Sequence, residues 1–115
     1  MQYDLEERTA RFEKEVIEFT KRISVSVITR PLITQLVRSA TSIGANYCEA
    51  DDAESKRDFI HKIAICKKEA RETKHWLKMV YVAEPELLNP AMDLWSEARQ
   101  LNLIFNSIIR SCKKE

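Results

Sequence analysis

The sequence predicts an all-α protein, an antiparallel up-down-up-down four-helix bundle forming a single domain over residues 1–115. Three observations predict it. Glycine occurs once and proline three times in 115 residues, against about eight and six at average usage. Hairpins, sandwiches and barrels need glycine at their turns, and phosphate loops and dinucleotide folds need it beside the ligand. Apolar residues recur in threes and fours along four stretches. The connections between those stretches are too short for the long crossovers of cytokine-type bundles. Two long coiled-coil hairpins are the alternative arrangement. With 44% hydrophobic and 32% charged residues, the composition is that of a globular chain with one core.

The first segment runs from about Leu5 to Val27, with Leu5, Phe12, Val16, Phe19 and Ile23 as its apolar stripe. Its end is indistinct, because Ser24-Val25-Ser26-Val27 alternates like a strand that has no partner. Thr29-Arg30-Pro31 marks a new start, with Thr29 or Arg30 as cap and proline in the first turn. The second segment then extends to about Ala50, lining Ile33, Leu36, Ala40, Ile43 and Tyr47 on one face. Gly44 sits inside it at a cost of about 1 kcal/mol against alanine. A small-residue face that lets another helix approach closely is one reading, and a kinked or merely tolerated position is the other.

After the acidic loop Asp51-Asp52-Ala53-Glu54, Ser55 with Asp58 three residues on resembles a capping box. The third segment carries Phe59, Ile63, Cys66, Ala70, Thr73, Leu77 and Val80 in a strict 4-3 step and ends before Pro85. Asn89-Pro90 opens the fourth, again as cap and first-turn proline. There Leu94, Ala98, Leu101, Phe105, Ile108 and Cys112 repeat the step. Lys113 and Lys114 suit a helix C-terminus. Segments of about 20–28 residues give helices about 30–42 Å long.

The formal charge is +1, which by itself predicts no polyanion partner. Its distribution is uneven. Residues 56–78 hold eight basic and three acidic side chains, a balance of +5, while residues 1–22 (five and six), 23–55 (two and four) and 79–115 (four and five) are each slightly acidic. Cys48, Cys66 and Cys112 are odd in number and widely spaced. A disulfide framework or zinc site is not expected, and Cys66 and Cys112 fall on apolar stripes. The acidic start of the chain is unlike a signal peptide, and no apolar run reaches a membrane span. The expected setting is soluble and reducing.

Chemistry finds little footing. A di-metal bundle needs two E-x-x-H pairs and two more glutamates facing inward. Glu72-Thr73-Lys74-His75 has the spacing and Asp58-Phe59-Ile60-His61 echoes it weakly. Both lie on one segment, about 21 Å apart, and off its apolar stripe. No metal site and no cofactor are expected. Cysteine–histidine pairing by local spacing, a G-x-S-x-G elbow and a P-loop are all missing, so the chain reads as a non-enzyme.

Three sets of residues remain. Lys67, Arg71, Lys74 and Lys78 step 4-3-4, one position beyond the core set, as a basic stripe. Such a stripe is the footprint of a polyanion site or else simply a solvated face. Ile60 on segment three, and Trp95, Leu103 and Ile109 on segment four, widen the apolar coverage beyond the stripe one bundle needs. They read as a subunit interface or as a deeply central fourth helix. Asn46 and Glu49 are polar on a mostly small and apolar helix. A structural network with groups such as Lys62 or Thr73 is the first reading, and a ligand site the second.

The run Gln35-Leu36-Val37-Arg38-Ser39-Ala40-Thr41-Ser42-Ile43-Gly44-Ala45-Asn46-Tyr47-Cys48-Glu49-Ala50 resembles the signature of four-helix-bundle proteins encoded in intervening sequences of large-subunit ribosomal RNA genes. Ser55, Asp58-Phe59, Lys62-Ile63 and the run from Lys68 to Leu77 continue the likeness. Arg8-Thr9 and Phe12 fit its opening, so it spans nearly the whole chain. The resemblance implies a bacterial cytoplasmic bundle assembling as a homopentamer. It extends to the accessory variability protein of diversity-generating retroelements, which binds nucleic acid beside a reverse transcriptase. The expectation is therefore a non-enzymatic homo-oligomer that binds RNA or DNA through its third helix. The alternative is an oligomeric adaptor or reverse-transcriptase accessory without a direct nucleic-acid role.

Overall fold

A computed structural model describes residues 4–114. Four helices make up the fold: α1 (Leu5–Thr20), α2 (Thr29–Asp51), α3 (Lys56–Ala83) and α4 (Leu88–Lys113), with a 3-10 turn at Pro85–Leu87 ahead of the last. They pack in the cyclic order α1–α2–α3–α4–α1, with α1 leaning more on α2 than on α4. The molecule measures 47 × 24 × 20 Å, the length of its longest helix and the width of two. This is the four-helix bundle expected from the apolar periodicity.

The core follows the predicted stripes of α1 and α3 closely. Leu5, Phe12, Val16, Phe19 and Ile23 are buried, as are Ile63, Cys66, Ala70, Thr73, Leu77 and Val80. On α2, Leu36, Ala40 and Ile43 are buried, while Ile33 and Tyr47 pack half-covered at the margin. The stripe of α4 departs from its expected course at the end. Burial runs Leu94, Ala98, Leu101, Phe105, Ile109, not onward through Ile108 and Cys112. A straight helix of 3.6 residues per turn drifts off a strict heptad, so the last turn presents the residue four on.

Three boundaries differ from expectation, each for a local reason. First, α1 stops at Thr20, not near Val27. Its end tightens into i→i−3 bonds from Lys21, Arg22 and Ile23 to Glu18, Phe19 and Thr20, and a β-branched stretch follows that favours extended backbone. Ile23 still plugs the end of the core. Second, neither Thr29 nor Arg30 caps α2. Ser26 Oγ accepts from the Ile28 and Thr29 amides at 3.2 and 3.0 Å. Thr29, now the first helical residue, turns its hydroxyl back to the Ser24 carbonyl. Third, Asn89 does not cap α4. The 3-10 turn begun by Pro85 leads straight into the helix, burying Leu87, and Pro90 falls in the first turn, where an amide would lack a partner anyway. The start of α3 is as expected, with Ser55 Oγ accepting from the Asp58 amide at 3.0 Å.

At Gly44 α2 continues without interruption, and what lies on it is the end of a side chain of α1, not the close backbone of a neighbouring helix. The Glu13 carboxylate of α1 lies directly over it and accepts from the Gly44 amide at 2.9 Å. A Cβ on Gly44 would overlap that carboxylate.

Candidate nucleic-acid interface

The charges of α3 separate by side. Toward α2 lie its acids. Glu69, 8% exposed, accepts from Arg38 at 3.2 Å and from Ser42 Oγ at 3.1 Å. Glu72 accepts from the other guanidinium nitrogen of Arg38 at 3.2 Å, and Arg38 is steadied by Gln35. Lys62, the cation on this side, meets Glu49 at 2.7 Å. That bond raises the Lys62 amine above its ordinary value. Asn46 bonds within its own helix, to the Ser42 carbonyl and hydroxyl, and so reaches α3 only through Ser42. Ser39 and Thr73 close the seam with a buried hydroxyl–hydroxyl bond of 2.9 Å. Glu69 Oε1 and Trp76 Nε1 are buried there without a hydrogen bond.

Toward α4 and the outside lie the cations. Lys67 donates to Asn106 Oδ1 at 2.9 Å, and Asn102 donates to the Lys67 carbonyl at 2.8 Å. Lys74 places its ammonium 5.4 Å from the centre of the Trp95 ring, a cation–π contact that leaves the charge intact. Arg71 and Lys78 are exposed. Among the described residues, none of Lys67, Arg71, Lys74 and Lys78 is paired with a carboxylate. The structure thus splits the predicted stripe into two seam cations held by neutral partners and two free outer ones.

It also shows a ridge that reasoning from the core set overlooked. Arg57, His61, Ala64, Lys68, Arg71, His75, Lys78 and Val82 are all exposed, stepping 4-3-4 along the outermost line of α3 with no acid among them. The signal was present in the sequence, opposite the core positions and not beside them. Glu72 faces Arg38 while His75 lies on this ridge, edge-on to Trp76 at 4.8 Å, so the E-x-x-H spacing does not gather a ligand pair.

The residues expected at a subunit interface share this side of the bundle. Ile60 and Trp95 are half-buried against the chain's own core. Ile109 is buried, 9% exposed, and belongs to that core, whereas Leu103 is 51% exposed. Larger apolar exposure lies at Val82 on the ridge itself and, away from this side, at Val25, Val27 and Ile28 in the α1–α2 connection. Catalytic equipment is sparse. Burial pushes the Cys66 thiol up to about 12, far from a reactive thiolate. Among the described residues no three His, Cys, Asp or Glu side chains cluster as metal ligands, and no helix is long and apolar enough to cross a membrane.

Fold and surface together define an all-α bundle whose polar seam lies between α2 and α3 and whose cations line the α3–α4 side. The family model of the 23S rRNA-intervening sequence protein matches residues 1–86. The chain is also similar to a crystal structure from Bacteroides thetaiotaomicron VPI-5482, a protein of unknown function from the S23 ribosomal protein family. The TM-score is 0.78 at 30% identity, over 90% of this chain and 96% of that one. No curated protein matches. The chain belongs to the 23S rRNA-intervening sequence protein family.

Proposed function

We propose that this chain is a non-enzymatic, homo-oligomeric nucleic-acid-binding protein that holds phosphates through α3. The carrying observation is the separation of charge: Glu69 and Glu72 of α3 are engaged by Arg38, while Lys67, Arg71, Lys74 and Lys78 keep uncompensated charge on the other side. Contacts of that kind position a backbone and carry no base readout. Assembly into a ring, a pentamer by family resemblance, would repeat the stripe and raise avidity without new contacts. Filter binding of an RNA and a DNA fragment at about 50 and 200 mM salt tests the reading, with wild type and Lys74→Glu. Binding that weakens by at least about 10³-fold across that range for six or more phosphate contacts, and weakens further in the variant, is expected. No binding at the lower salt overturns it. Light scattering tests the assembly, and a stable monomer contradicts it.

A second reading, an oligomeric adaptor or reverse-transcriptase accessory, is favoured by one observation. Leu103 stands exposed among the cations, as an anchor for a protein partner would.

A further inference from the structure

The α3 cations do not end at α3. Asn102 and Asn106 flank Lys67, and Trp95 meets Lys74. That antiparallel register sets Arg99 level with Arg71, and Arg110 level with Ile60. Both arginines are exposed, lie just outside the seam on α4, and make no ion pair among the described residues. The acids of α4 turn the other way. Glu97 takes a two-pronged bond from Arg8 of α1 at 2.7 and 2.9 Å, and Asp93 borders the α1–α4 groove with Arg11 and Lys14. The outer lines of both helices, Arg57 to Val82 and Met92 to Arg110, therefore hold six exposed cations and no carboxylate.

We infer that this two-helix face binds the paired phosphate backbones of a nucleic-acid duplex; the inference rests on the nucleic-acid reading above and extends it to α4 and to the form of the ligand. Two observations select a duplex over a single strand. The cations stand in two rows, one on each of two helices whose axes lie about 8–10 Å apart, with the α3 row about 32 Å long. One strand needs one track, whereas a duplex presents two backbones across a groove. Among the described residues, moreover, every Phe, Tyr and Trp ring is buried or half-buried. Proteins that grip single strands without sequence preference rely on exposed rings for stacking, and this face offers no exposed Phe, Tyr or Trp, only the imidazoles of His61 and His75. Charge also argues against a second copy as the occupant. Interface cores are depleted of charge, and this face is mostly cationic.

The test measures binding of one sequence as RNA duplex, DNA duplex and single strand across a salt series, with wild type, Arg99→Glu/Arg110→Glu and Arg71→Glu/Lys78→Glu. With five or six phosphates engaged, the slope of log K against log salt on duplex DNA is about −5, and it falls by about 2 in each double variant. The single strand binds at least about 10-fold more weakly. Whichever duplex binds more tightly identifies the nucleic acid. Both α4 side chains are exposed and make no ion pair among the described residues, so circular dichroism of that variant should match wild type. A single strand bound as tightly as the duplex overturns the inference. So does an unchanged slope in the α4 variant alongside a reduced one in the α3 variant, an outcome that leaves the α3 reading standing. Failure of wild type to bind any of the three overturns both.

Discussion

At the scale of single residues, Gly44 and Glu13 behave as one unit. The carboxylate occupies the space of a Cβ and accepts from the amide of the glycine beneath it. Burial raises the Glu13 carboxyl above its ordinary value, partly offset by that hydrogen bond. A charge-assisted bond is worth about 1.5–3 kcal/mol, whereas alanine in mid-helix gains about 1 kcal/mol over glycine. Gly44→Ala should therefore destabilise wild type by about 1 kcal/mol. In a Glu13→Ala background the same change should stabilise by about 1 kcal/mol. Urea unfolding of the four proteins measures the coupling, and equal effects of Gly44→Ala in both backgrounds would show that the two residues are independent. A contact over Gly44 was one of two readings the sequence allowed, beside a kinked or merely tolerated position. The partner was not legible, because nothing local marks Glu13, 31 residues away, as the group that lies on it.

Helix ends show the same division between local and distant causes. The apolar stripes of α1 and α3 and the Ser55 cap follow from spacing and residue type alone, and they stand where periodicity puts them. The end of α1 does not. Residues after Thr20 keep an apolar rhythm, yet the chain leaves the helix and Ser24 donates its amide to Glu84 Oε1 at 2.7 Å, sixty residues on. That bond holds the Glu84 carboxyl below its ordinary value of 4.5. A carboxyl depressed on folding contributes stability that is complete above its unfolded value and lost as pH falls through its folded one. Acid titration of wild type should accordingly show a loss of stability beginning near pH 4.5 and continuing below it. Glu84→Gln, which keeps an acceptor, should lack that contribution. Denaturant midpoints measured from pH 5 down to about pH 3 check this, and identical acid limbs for the two proteins would refute the coupling of the loop to Glu84.

Across the whole molecule, +1 of net charge conceals a strongly sided surface. Counting by segment locates the excess on α3 but not its direction. The direction depends on tertiary pairs: Arg38 with Glu69 and Glu72, and Arg8 with Glu97. These remove acids from one side of the bundle. Sequence spacing placed the stripe one residue outside the core set, at the seam with α4, where Lys67 and Lys74 have neutral partners. The more exposed cations lie a step further round, and Arg99 and Arg110 join them only through the α3–α4 register. The same register brings the expected interface residues Ile60, Trp95 and Leu103 to this side, so the proposed phosphate binding and a subunit contact would compete for it. With the face mostly cationic and Leu103 its sole largely exposed candidate anchor from that set, the proposed assembly would be better served by other surfaces. The central claim is that the α3 side, and not net charge, binds nucleic acid. Its most direct test compares two variants of identical charge change, Arg71→Glu/Lys78→Glu on that side and Arg11→Glu/Lys14→Glu on the α1–α4 side, in duplex binding at about 50 mM salt. The first should lose at least about 10-fold in affinity while the second stays within about 3-fold of wild type. Equal losses in both would contradict the claim.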